Sequence, residues 1–142
     1  MYFGSVSKAE DKRFENFEKE ITHIIKIRPP YVWGGSVEKG VDCSGMLYLT
    51  AKRAGFPVRR TTSHRMSLGE GGWESLVVNV KGRQPLDLIF WTLKEKRPNG
   101  HVGVLYLNIE QVVHASSSKN AVVVQPLEGT LWEKITGVRR LQ

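Results

Sequence analysis

The chain contains a single cysteine, and that scarcity removes two roles at once. A lone thiol forms no intramolecular disulfide, and one cysteine is too few for a thiolate zinc site. Cys43 is therefore either a small core residue or a nucleophile. Long apolar runs are also missing: nothing approaches the roughly 18 residues that cross a bilayer. The first 13 residues have no apolar signal core, so no Sec-type export address is visible. Internal repeats, low-complexity tracts and Pro/Gly/Ser linkers are absent. Acidic residues are the minority charge, 14 against 21 basic, which leaves a net charge of +7. A field of that sign favours anionic partners such as nucleic acid, a cell wall or a membrane surface. Nucleic acid is disfavoured, because the basic residues are scattered and not interleaved with aromatics on one surface.

What is present fits an ordinary globular chain. The 142 residues match one domain with a real core, and 40% hydrophobic with 25% charged residues is a normal balance. Residues 7–27 read as a helix, with Phe14, Phe17, Ile21, Ile24 and Ile25 at three- and four-residue steps and Pro29-Pro30 as the stop. Tyr31-Val32-Trp33-Gly34-Gly35 is a short extended or looped stretch. Residues 42–54 form the second expected helix, with Asp42 as N-cap and Gly55 as its C-terminal stop. A third, shorter helix is expected over 61–68. The period then becomes strand-like over 76–80, 86–93, 101–107, 111–115, 121–125 and 137–141. Helices first and strands second indicate an α+β fold with a mainly antiparallel sheet of about five to six strands.

Chemistry concentrates at three residues. Cys43 opens the second helix, where the helix dipole favours a thiolate. His101 and His114 lie on neighbouring strands joined around Asn108-Ile109-Glu110. A two-residue loop sets Gly103 opposite His114 and makes His101 and His114 diagonal neighbours on one face. A three-residue loop turns His114 to the other face, and the spacing alone does not choose. Gly103 leaves room beside the imidazoles. His23 and His64 belong to no motif, although His64 follows Arg60-Thr61-Thr62 near where a site rim would lie.

Five fragments in order resemble the NlpC/P60 cysteine peptidases: Tyr31-x-Trp33-Gly34-Gly35, Val41-Asp42-Cys43-Ser44-Gly45, Asp87-Leu88-Ile89-Phe90, Gly100-His101-Val102-Gly103-Val104 and Val113-His114-Ala115-Ser116. Each alone is weak; together they span nearly the whole chain after the first helix. The resemblance implies a reduced papain-like fold, with residues 1–30 as an added N-terminal helix on a core of 31–142. It makes Cys43 the nucleophile, His101 the general base and His114 the residue that orients it. Tyr31 is implied at the substrate or oxyanion. Asp42 and Ser44 are implied at a pocket for the substrate's amine, a role compatible with the N-cap. No metal and no cofactor is implied. One departure stands out: Pro85-Leu86-Asp87-Leu88 has Leu86 where the family usually has glycine, which suggests a turn of different shape.

The activity implied is hydrolysis of amide bonds in peptidoglycan stem peptides, often between D-γ-glutamate and the diamino acid, through a thioester. The partner is then peptidoglycan or a muropeptide, with no nucleic acid, no membrane span and a monomeric chain. Without a visible signal, the expected location is the cytoplasm, or the cell wall after delivery by a phage particle, a secretion system or another non-Sec route. Two other classes remain open: an acyl transferase or lipid-directed thiol hydrolase of the same fold, and a non-catalytic wall-binding or structural module such as a phage tail component.

Overall fold

A computed structural model describes residues 11–142. The first helix, α1, spans Lys12–Ile27, with Asp11 as its N-cap accepting from the Arg13 amide at 2.9 Å. Residues 7–10 of the expected helix lie outside the described residues. Phe14, Phe17, Ile21 and Ile24 are buried, the face its three- and four-residue steps define. The helix ends where Arg28 turns left-handed, just before Pro29-Pro30.

A small hairpin follows, β1 (Ser36–Val37) with β2 (Gly40–Val41), and leads directly into α2 (Cys43–Ala54). The hairpin was not expected: two-residue strands carry too little alternation to show a period. It sets the position of α2 by contact. The Asp42 amide donates to the Gly35 carbonyl at 3.0 Å, and a methyl built on Gly45 would run into that same carbonyl. Gly45 is thus required for the first turn of α2 to lie against the loop. Gly55, at φ +108°, closes the helix as expected.

The expected third helix is α3, Ser63–Ser67, shorter than the 61–68 reading. The remaining strands are β3 (Ser75–Val77), β4 (Leu88–Trp91), β5 (His101–Leu105), β6 (Gln111–Ser116), β7 (Ala121–Pro126) and β8 (Ile135–Leu141). A 3₁₀ turn at Val80–Gly82 replaces the far end of the expected strand over 76–80. A short helix, α4 (Thr130–Glu133), lies between β7 and β8. Among the described residues the fold is α+β: four helices and an open six-stranded antiparallel sheet in the order β3-β8-β4-β5-β6-β7.

The sheet packs α1 and α2 on one face through Leu88, Phe90, Val102, Val104, Val113 and Ala115. The other face carries Ile89, Trp91, Leu105, Val112 and Val138. This two-sided burial explains why β4 to β6 are buried along nearly their whole length and do not alternate with polar residues. No helix among the described residues is long and apolar enough to cross a membrane.

At the departure noted in sequence, Leu86 stands at φ +73°. The backbone there keeps the left-handed conformation that glycine adopts without strain, and the leucine side chain is buried in the helix-side core. Next to it Asp87 is fully buried and held by Arg140 in a fork, Nε at 2.8 Å and Nη2 at 2.9 Å.

Candidate active site

Cys43 is the first residue of α2 and is buried against the start of β5. Its Sγ lies 4.0 Å from the Gly100 carbonyl oxygen, and backbone N–H groups of Val102, Ser44 and Cys43 point at the sulfur. The thiol therefore meets β5 on both sides of His101. Burial raises its pKa above the ordinary value, and the negative charge of Asp42 adds to that, while the three amides act in the opposite direction. The helix start therefore does not leave a resting thiolate, as its dipole alone would suggest: desolvation outweighs the amides, and the thiol keeps its proton.

Asp42 caps α2 as expected, its Oδ1 accepting from the Gly45 amide at 2.7 Å. The same carboxylate also takes Gly34 N at 2.9 Å, Ser44 Oγ at 3.3 Å and Arg60 Nη2 at 2.9 Å. Arg60 further donates from Nη1 to Ser44 Oγ at 2.8 Å. Asp42 and Ser44 are thus brought together beside Cys43, and a guanidinium already occupies them. Arg60 was read only as part of the segment before His64. Its signal in sequence was weak, because one arginine in a basic chain has no spacing to mark it.

The histidines come together as the two-residue register requires. Val104 pairs with Val113 and Leu105 with Val112, the alignment that sets Gly103 opposite His114. The hairpin tip is wider than two residues. Leu107 turns left-handed, and Asn108 Oδ1 accepts from Glu110 N and Gln111 N. The widening is symmetric, so the faces of the strands are preserved. His101 Nε2 lies 2.8 Å from His114 Nδ1, with the rings edge to face. His114 Nε2 in turn lies 2.6 Å from Gln125 Oε1 on β7.

Trp91 completes this strip. It pairs with His101 across β4–β5, its ring centroid is 5.3 Å from His101 and 5.8 Å from His114, and its Nε1 is tied to the Leu131 carbonyl at 2.7 Å. Gly103 makes room for this indole: a Cβ there would come 3.0 Å from the ring. Desolvation, with the neighbouring His114, pulls the His101 pKa down to about 3, and His114 is lowered mainly by burial. Both imidazoles are neutral near pH 7. The remaining nitrogen of His101, Nδ1, makes no hydrogen bond among the described residues, and none joins it to Cys43 in this resting geometry.

The rim is aromatic and basic. Tyr31 is half-buried and bridges to Val41. Its hydroxyl pKa is raised by burial and by the neighbouring Cys43 and Asp42, with Arg97 acting the other way. Arg97 stacks 5.1 Å from the ring centroid of Trp33, which is 72% exposed. The 94–99 loop that carries Arg97 is pinned by His64 Nδ1 to the Pro98 carbonyl at 3.1 Å and by the Asn99 amide to Thr92 Oγ1 at 2.9 Å. His64 therefore supports the rim, while His23 sits on the surface 3.1 Å from Glu38. No group of three or more potential metal ligands occurs among the described residues.

Helices packed on an open antiparallel sheet, with a thiol at a helix start and paired imidazoles on the adjoining strands, define a narrow class of α+β protein. The chain belongs to the NlpC/P60 family, whose model matches residues 28–140. It is 31% identical over 113 residues to the gamma-D-glutamyl-L-lysine dipeptidyl-peptidase of Bacillus subtilis, covering 78% of this chain and 36% of that protein. It is 32% identical over 106 residues to an Escherichia coli protein named "Probable endopeptidase NlpC", covering 74% and 64%. The chain thus spans less than two thirds of the length of either relative. The crystal structure of the peptidoglycan hydrolase RipB of Mycobacterium tuberculosis superposes with a TM-score of 0.71 over all of this chain and 75% of that one, at 21% identity, a likeness of fold.

Proposed function

We propose that the chain is a cysteine peptidase that hydrolyses amide bonds in peptidoglycan stem peptides, with Cys43 as nucleophile, His101 as base and His114 as its orienting partner. The observation that carries this reading is the position of the sulfur at the backbone on both sides of His101, whose imidazole is hydrogen-bonded to His114 at 2.8 Å. The named relatives are a gamma-D-glutamyl-L-lysine dipeptidyl-peptidase and a probable endopeptidase, which supports a stem peptide as the substrate.

The two resting pKa directions shape the chemistry. A thiol pushed up and an imidazole at about 3 do not form a standing ion pair. The proton therefore leaves Sγ as the sulfur attacks the carbonyl, with His101 receiving it in the same step. The amides of Cys43 and Ser44 at the helix start supply donors for the developing oxyanion, with Tyr31 near enough to Cys43 and Asp42 to feel their charge. The imidazolium then protonates the departing amine, leaving a thioester. Water attacks that thioester with His101 again as base, releasing the acid and the thiol. No metal enters any of these steps.

The bond proposed is the one after D-γ-glutamate. A γ-linked glutamate keeps its α-carboxylate free beside the scissile amide, and Arg97 at the rim offers a cation for it. Asp42 and Ser44 enter as the support of the helix start. A substrate ammonium that reached Asp42 and Ser44 would share them with Arg60, which already holds Asp42 Oδ1 and Ser44 Oγ. Mass spectrometry of purified peptidoglycan after digestion tests the reading. Fragments ending in D-γ-glutamate are expected from the wild-type chain and absent with Cys43→Ala; intact stems from both would overturn it.

A further inference from the structure

A strand residue outside the expected site touches the histidine pair: Gln125 Oε1 lies 2.6 Å from His114 Nε2. We propose that Gln125 is a positioning residue that sets the tautomer of His114 and, through it, holds His101 Nδ1 free of hydrogen.

The argument is a count of donors and acceptors. His114 Nε2 approaches Gln125 Oε1 at 2.6 Å, and an amide oxygen only accepts, so Nε2 carries the hydrogen. A neutral imidazole has one N–H, which leaves His114 Nδ1 as an acceptor. Its partner at 2.8 Å is His101 Nε2, which must then be the donor. A neutral His101 that holds its hydrogen on Nε2 has a bare Nδ1. That is the nitrogen with no protein hydrogen bond among the described residues and the one available to a thiol. With the amide reversed, the whole order inverts: the glutamine NH2 donates, His114 donates from Nδ1, and His101 carries its hydrogen on Nδ1, where it blocks proton acceptance.

The placement comes from strand register. Val112 pairs with Gln125 and His114 with Val123, so Gln125 and His114 are diagonal neighbours on one sheet face. Gln125 is half-buried, and no other hydrogen bond holds its amide among the described residues. Three other groups bear on this pair. Trp91 covers both rings without offering them a hydrogen bond, Ser116 Oγ is engaged with Ser118 and Lys119 N, and Lys119 places a positive charge near His114. That charge disfavours an imidazolium at His114, in keeping with a neutral relay. A neutral acceptor at 125 suits this arrangement better than a carboxylate. A carboxylate would draw a second proton onto His114, and its Nδ1–H would then confront the Nε2–H of His101.

The proposal concerns the resting protein, so it is tested without substrate and independently of the proposed activity. ¹⁵N NMR of the imidazole nitrogens in the wild-type chain is expected to show His101 Nδ1 and His114 Nδ1 unprotonated and both Nε2 protonated. A protonated His101 Nδ1 would overturn the inference. Gln125→Met, of similar length with no acceptor, should mix the tautomers of both histidines. On a cleavable stem peptide it should lower kcat about 10- to 100-fold, the scale of losing a partner behind a functional histidine, with KM little changed. Gln125→Glu should keep the tautomers at high pH but move the acid limb of the kcat profile upward. Unaltered spectra and pH profiles in both variants would reject Gln125 as the determinant. A wild-type protein with the stated tautomers and no peptidase activity would instead reject the proposed function alone.

Discussion

At the start of α2 the carboxylate of Asp42 accepts four hydrogen bonds, one from the guanidinium of Arg60 and two from backbone amides. On the sheet the strip Trp91, His101, His114, Gln125, which shares the face of Leu105 and Val112, holds no formal charge at neutral pH and is built from strand register. The nucleophile is thus fixed by a charged helix cap, the base by neutral groups aligned across three strands. Charges beside the sulfur fix the start of the helix, while burial, with the Asp42 charge adding to it, works against a standing thiolate. Neutral groups beside the imidazole avoid the desolvation of an ion and keep the base free to accept one proton. Stability should therefore respond mainly to substitutions at the first end, and turnover to those at the second.

The largest expected effect lies where the two ends meet. Cys43→Ala should reduce cleavage of a stem peptide on the order of 10⁴-fold or more, because no other group makes the bond to carbon. His114→Ala should lose about 10- to 100-fold, since it orients the base and leaves the nucleophile in place. His114 is buried, so part of any loss in its urea midpoint reflects the cavity left behind, and kcat/KM is the quantity that reports orientation. Equal small losses in both variants, measured as kcat/KM, would remove the distinction between bond making and orientation.

Next in size is the charged cap. Arg60→Met leaves Asp42 without its cation beside a helix start. Arg60 is partly exposed, so the loss should fall below the ~3–5 kcal/mol of a fully buried pair, about 2 kcal/mol. Urea unfolding should show it as a lower midpoint with an unchanged slope. A stability loss in Gln125→Met, which leaves no cavity in the neutral strip, larger than in Arg60→Met would reverse the assignment of the two ends.

The same contrast explains what was legible in the sequence. Asp42, Gly55 and the place of Cys43 at the start of α2 were readable because capping is local: the bonds that close each end of the helix lie within four residues. The His101–His114 pairing was legible only as one of two registers, because parity decides the face and loop length decides parity. Gln125, Trp91 and Arg60 were not legible at all. Their partners lie 11, 10 and 18 residues away through tertiary contact, and a glutamine or arginine on the surface of a basic chain has the same local pattern whether or not it touches a site. Six strands were found, but their ends were not: those expected over 76–80, 86–93 and 101–107 were drawn too long, since apolar residues such as Leu93 continue past the last ladder bond, while those over 111–115, 121–125 and 137–141 were drawn one or two residues short.

Acid should reveal the neutral strip. His101 titrates near 3 in the folded chain, well below the 6.5 of an ordinary histidine. Between those values the unfolded state binds more protons than the folded one, so stability rises with pH across that window. The contribution is fully present above about 6.5 and is lost as pH falls toward 3. Urea midpoints measured from pH 4 to pH 7 should climb, and His101→Gln should flatten the climb. An equal slope in the variant would assign the acid sensitivity to the carboxylates instead.

The smallest effect is expected at the rim, where neither means of fixing a residue applies. Arg97 has no carboxylate partner among the described residues and rests on an exposed indole, so its removal should cost little stability. An exposed cation–π contact of this kind contributes about 0.5–1 kcal/mol. If the guanidinium meets the free α-carboxylate of a γ-linked glutamate, Arg97→Gln should raise KM several-fold for the carboxylate substrate, with kcat little altered. For the matching peptide with that carboxylate amidated, the wild-type chain should already bind weakly and the variant should differ little from it. The ratio of kcat/KM between the two peptides is the quantity to measure, because it cancels any general change in the protein. A ratio that is the same in wild type and Arg97→Gln would mean that the basic rim acts only through its long-range field. In that case the loss should vanish as salt rises toward physiological strength.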